Sequence, residues 1–305
     1  MGLRLWGLGA QSGRLPETAT RALLPAMPRI DVRTVVTESF AFIRAAWSGA
    51  PGALAAAMIV DAGAQAFGGA IAVWAVLPQI LVAALGTGAL YRIALGADRP
   101  RDGRLHLGPA GLQWGGVEWR VLGANLLVGL ILAPAVLLLF LIWAAGLGYL
   151  TVSHQIDVGA LTALRGGDPA AMRALMSGPA GPLTAAILLP GAAALIWLAA
   201  RLALVPIAAA DVQRFDVGQA WTLTREAAWP LIVVALIVIL LQIAAGLFGG
   251  LVGGFLAALA GGAKVDWPAA TALAGAIGTA AAVAIGLPIT AGAAAFVYRM
   301  RRDGG

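Results

Sequence analysis

The 305-residue chain has no cysteine, two histidines and a single lysine, Lys264. Without cysteine it forms no disulfide and offers no thiolate to a metal or a covalent intermediate. Charge is also scarce: Asp, Glu, Lys and Arg make up 11% of the residues, against about 25% in an ordinary soluble domain. The two histidines, His106 and His154, fall on opposite sides of the membrane in the topology derived below, which argues against a histidine-based metal or catalytic site. No nucleophile elbow, zinc-protease, phosphate-loop or dinucleotide motif is present. No cofactor is implied.

What fills the chain instead is apolar. Hydrophobic residues account for 61% of it, and the mean hydropathy is +0.90. Length alone would suggest two soluble domains, but the long apolar runs argue for one membrane domain. The net charge of +6 does not point to nucleic acid, because the arginines stand between apolar runs rather than along one polar face. The preference for Arg over Lys, with abundant Ala and Gly, suggests a GC-rich bacterial genome.

The polar breaks divide the chain into six spans at about 51–68, 72–95, 120–149, 183–205, 231–260 and 269–298. Each is long enough to cross a hydrocarbon core of about 30 Å at about 1.5 Å per residue. The fold expected is an all-α polytopic membrane protein, with six transmembrane helices in three hairpins. Residues 1–30 precede it, carrying Arg4, Arg14, Arg21 and Arg29 but no apolar core of signal-peptide length. They are expected to be a disordered tail, or an over-called start with Met27 as the true first residue. All basic residues except Arg165, Arg173 and Lys264 fall on one side of the six-span topology. An excess of Arg and Lys marks the cytoplasm, so both termini are expected inside a bacterial inner membrane.

Two stretches predict helices lying on the cytoplasmic membrane surface. Val36, Phe40, Ile43 and Trp47 recur at helical spacing within 33–48, with Arg44 beside them. Val217, Trp221 and Arg225 repeat the positions of Val36, Phe40 and Arg44. Aromatic rings at the headgroup boundary, with Arg reaching for phosphate, suit such a placement; an ordinary packed helix would give the same pattern. Pro78 precedes Arg92, Pro190 precedes Arg201 and Pro288 precedes Arg299, as if three related units followed one another. Arg44, Arg92, Arg201, Arg225 and Arg299, with Trp47, Trp221 and Trp229, are therefore the expected lipid-headgroup contacts. A salt bridge from Arg201 to Asp211 or Glu226 is the competing reading. Glycines at 246, 250 and 254, with Gly249 and Gly253 beside them, predict a close helix contact.

One acid lies inside a span. Asp61 costs about 2.5–3.5 kcal/mol to insert, so it should face protein or water. Gln65 stands one turn on, and Gln242 of the fifth span is a third polar group at membrane depth. Together they could form a proton or cation site; a structural hydrogen bond is the plainer reading.

The stretch 199–235, with Arg201, Pro206, Trp221, Thr224, Arg225 and Trp229, resembles the membrane domain attached to bacterial glycerophosphodiester phosphodiesterases, and its stand-alone inner-membrane relatives. The resemblance implies a six-helix, non-catalytic membrane body. The phosphodiesterase part has no counterpart in these residues, so neither its activity nor any functional residue carries over. The expected role is that of a non-enzymatic lipid-binding protein or envelope scaffold. A transporter of ions, small molecules or lipid, using the intramembrane acid, is the alternative. A water-filled cavity lined by Asp61 would favour transport; a dry bundle would favour the scaffold. The expected partners are membrane lipids, with a membrane protein or a second copy of the chain left open, and no nucleic acid.

Overall fold

A computed structural model describes residues 30–67, 69–96, 103–153, 173, 177–212, 217–225, 227–261 and 267–303. Every long element among them is an α-helix: α1 (Val32–Gly49), α2 (Pro51–Phe67), α3 (Gly69–Gly96), α4 (Gly116–Val152), α5 (Ala180–Leu202), α6 (Val205–Val212), α7 (Val217–Leu223), α8 (Ala228–Gly261) and α9 (Trp267–Asp303). Two single 3-10 turns, Gly103–Leu105 and Pro109–Gly111, lead into α4. The expected tail at 1–30, except Ile30, lies outside the described residues, as do nearly all of the loop after α4, His154 and Glu226.

Five segments are long and apolar enough to cross a membrane: Trp74–Gly96, Pro109–Val152, Ala180–Val212, Ala228–Leu256 and Thr271–Arg302. The expected span at 51–68 does not stand among them alone: α2 reaches that length and hydropathy only together with α1, as a broken span or re-entrant pair bent by 98° at Ala50, which would make six. The protein is an all-α polytopic membrane protein. Its consecutive long helices pack as three hairpins: α2 with α3, α4 with α5, and α8 with α9.

The distribution of bulk is inverted relative to a water-soluble bundle. Large side chains of α4 and α8 point outward, among them Leu130, Leu138, Phe140, Leu240, Leu247 and Leu251. In water such a surface would be a severe liability; in lipid it is the natural solvent face. Helices in a bilayer gain nothing by hiding Leu from equally apolar chains, so close contact of small residues holds them together. The interior accordingly holds many alanines, including Ala291, Ala293, Ala294 and Ala295 of α9. That helix is the hub, packing against α8, α2, α1 and α3.

The expected glycine contact forms between α8 and α9. A Cβ on Gly253 would sit 2.6 Å from Cα of Ala274, and one on Gly278 would sit 3.0 Å from Cα of Gly246. Gly249 also lies directly against Ala274 and Gly278. A Cβ on Gly246, Gly250 or Gly254 would meet nothing within 4 Å. Gly250 and Gly254 are therefore off the contact, while Gly249 and Gly253 make the close approach and the backbone of Gly246 lies against Gly278.

Helix α1 packs by its expected face at all but one residue. Its buried stripe is Val35, Ser39 and Ala46, with Phe42 packed over Gly292. Phe40 is exposed. Val36, Ile43 and Trp47 of the expected face are half-buried against the core beside this stripe, and Phe40 alone of the four turns outward. The buried Ser39 hydroxyl is satisfied by the Val35 carbonyl at 2.6 Å.

Candidate functional site

Asp61 and Gln65 sit one turn apart on α2, and Gln242 projects from α8. All three line one open cavity of about 570 Å³, walled by α2, α8 and α9 with Ala83 of α3. The walls owe their recess to small residues: Gly246 of α8 and Gly275, Gly278 and Gly286 of α9 leave space where side chains would stand. Gln79, from α3, hydrogen-bonds the Asp61 side chain. The acid is therefore held by a neighbouring helix while still bordering the cavity. Thr279 and Thr290 add hydroxyls from α9; the Thr290 hydroxyl donates to its own helix at the Gly286 carbonyl, 2.8 Å away.

A second cavity, of about 500 Å³, adjoins the first. It is lined by Thr87 and Tyr91 of α3, Asn125 of α4 and Pro206 of α6, among others. Val238, Gln242, Leu287 and Thr290 border both cavities. Both volumes fall within the usual range for small-ligand sites, about 300–1,000 Å³. Neither gathers a nucleophile with a base, and among the described residues no three His, Cys, Asp or Glu converge as metal ligands.

The expected headgroup residues divide into three groups. Arg44, Arg225 and Trp229 are exposed, and Arg44 rims a surface groove with Phe40, Ile43 and Trp47. Arg92 is a correction. Its side chain is 6% exposed and forms a two-pronged ion pair with Glu118: Nε to Oε1 and Nη2 to Oε2, each at 2.8 Å. Its Nη1 donates to the His106 carbonyl at 3.3 Å. Glu118 is fully buried, and also accepts the Gly115 N–H at 2.8 Å. It occupies the third position of α4, where a carboxylate closes the first turn and complements the helix dipole. With its counter-charge supplied inside the protein, Arg92 has no need of lipid phosphate.

Trp47 is likewise engaged internally. Its indole N–H donates to the Ala284 carbonyl of α9 at 3.1 Å. Arg299 is half-buried, and its Nη1 donates to the Ala94 carbonyl at 3.5 Å.

Arg201 forms the third group. It ends α5, 6% exposed, with its guanidinium carbon 4.3 Å from the Trp221 ring centre and 5.8 Å from that of Trp197. The two rings meet edge to face at 5.7 Å. Thr224 ties α7 back onto this helix end, its hydroxyl donating to the Arg201 carbonyl at 2.9 Å. The expected bridge to Asp211 does not form: that carboxylate accepts from the Tyr298 hydroxyl at 2.9 Å and pairs with Arg302 at 3.5 Å. Contacts with two rings return about 0.5–2 kcal/mol each. An unpaired charge taken from water costs several kcal/mol.

Glu118 and Trp197 are the residues that reading the chain for polar interruptions misses. The signal for Glu118 was present, as an acid three residues after Gly115 at the head of an apolar run. The signal for Trp197 was its spacing of four from Arg201, one turn on the same face.

Comparison with protein-family models, with curated proteins and with solved structures returns no match.

Proposed function

We propose that the protein is a bacterial inner-membrane carrier whose Asp61 cavity takes a proton, a cation or a small polar solute within the bilayer. The observation that carries this reading is the convergence of Asp61, Gln65 and Gln242, from two helices far apart in sequence, on one open cavity. A scaffold has no need to keep an acid beside open space at that depth. Ionisable groups within membrane spans characteristically line substrate or proton paths. The adjoining second cavity adds support, since Gln242 and Thr290 border both spaces and supply polar groups where they meet. The arginine asymmetry supports cytoplasmic termini. The likeness of residues 199–235 to the phosphodiesterase-linked membrane domain is compatible with this reading and adds no activity to it.

The test is flux in reconstituted vesicles. Wild-type protein should pass protons or a monovalent cation down an imposed gradient, and Asp61→Asn, which keeps the shape and removes the charge, should abolish that flux with the fold intact. A folded wild-type protein that passes neither, or an Asp61→Asn variant that conducts equally, would return the assignment to a lipid-binding scaffold. That second reading has its own support in the Arg201 cluster and in the groove beside Arg44.

A further inference from the structure

Arg201 differs from Arg92 in one respect. Both are 6% exposed, but Arg92 spends its charge on a buried carboxylate. Among the described residues no acid pairs with Arg201, and its Nε is sealed from solvent with no hydrogen-bond partner. Asp211, the acid on the next helix, is occupied by Tyr298 and Arg302. The negative end of the α5 dipole favours a cation here, but only weakly and only within the last turn. Trp221 packs against the guanidinium, with Trp197 set edge to face beside that ring, and neither neutralises it.

We infer that Arg201, packed against Trp221 with Trp197 beside it, binds the phosphate group of a phosphate-bearing ligand. The planar fork of an arginine suits two phosphate oxygens better than any other side chain does. Packing against Trp221 restricts the side chain in advance, so less freedom is lost on binding. Trp197 and Trp221 are themselves 48% and 36% exposed. Their outer surfaces are free to cover the apolar and glycerol parts of a phospholipid, in the manner of tryptophans at a membrane–water boundary. Free inorganic phosphate offers the same oxygens without the apolar part. The site is separate from the Asp61 cavity, whose lining does not include Arg201, and it stands whether or not the protein carries a solute.

The experiment is native mass spectrometry of the full chain released from detergent, titrated with dioctanoyl phosphatidylglycerol and, separately, with inorganic phosphate. Wild type should retain the lipid, and Arg201→Gln should weaken retention about ten-fold, the loss of one charge-assisted contact. Arg33→Gln, at an exposed arginine of α1, should change it less than two-fold. If millimolar phosphate does not displace the lipid, the ligand is a headgroup held partly by its apolar body. If phosphate displaces it and binds alone, the source is free phosphate, and the Arg201 site stands. Should Arg201→Gln fail to fold, Trp197→Leu and Trp221→Leu decide, each expected to weaken retention several-fold while the charge remains. Equal retention by wild type and Arg201→Gln, or by wild type and both folded tryptophan variants, overturns the inference.

Discussion

The indole N–H of Trp47 donates to the carbonyl of Ala284, 3.1 Å away on the last helix. Ala284 stands four residues before Pro288, which lies inside α9 and has no N–H to give. The proline therefore frees an acceptor within the bundle, and a side chain from the first described helix fills it. Trp47→Phe should lower stability by about 1–3 kcal/mol, the cost of leaving a buried carbonyl unsatisfied. In a Pro288→Ala background, where the helix supplies its own N–H, the same change should cost clearly less. Thermal unfolding of the four proteins in one detergent gives the coupling directly. Additive effects would show that the tryptophan acts by bulk alone.

The Arg92–Glu118 pair predicts an asymmetry between breaking and replacing. Glu118→Gln should cost about 3–5 kcal/mol, because it strands a buried guanidinium. Replacing both partners by methionine should cost less than the single change. Denaturation midpoints in mixed micelles report both. A Glu118→Gln protein as stable as wild type would mean that water already neutralises Arg92.

Glycine register gives a paired prediction. Gly253→Val drives a side chain into Ala274, an overpacking worth about 1–3 kcal/mol. Gly250→Val meets nothing within 4 Å and should be near neutral. Comparing the two by thermal unfolding separates the contact face from the repeat beside it. Equal losses would move the contact face back to the four-residue repeat.

Topology can be read by labelling, since the absence of native cysteine leaves single introduced ones unambiguous. A cysteine at Ala160 should react with an impermeant thiol reagent applied outside intact cells. One at Gly103 should react only after permeabilisation. The opposite pattern would reverse the orientation set by the arginines.

The helices were legible because a bilayer writes its thickness into hydropathy, so span ends fall close to where polar residues resume. Asp61, Gln65 and Gln242 were legible for the same reason: a polar side chain is conspicuous in an apolar run. What stayed hidden was determined by shape. Ser39 and Ala46 carry no strong periodic signal, yet they are fully buried while Phe40 is exposed. Gly249 and Gly253 make contact in place of Gly250 and Gly254 beside them, since register depends on what the facing helix presents. Glu118 was hidden by its position at a helix start, where an acid looks like ordinary punctuation until Arg92 is seen across from it.

The hub position of α9 has a consequence for the order of assembly. Both α1 and α2 rest on this last helix. A ribosome adding about 5–20 residues per second needs roughly 10–50 s to travel from the end of α2 to the end of α9. Throughout that interval Asp61 is already synthesised, while the wall that α9 will give its cavity is not. The newborn α1 and α2 must therefore wait against α3, or against the insertion machinery. A chain halted before Trp267 has made every described helix except the one on which its own beginning rests.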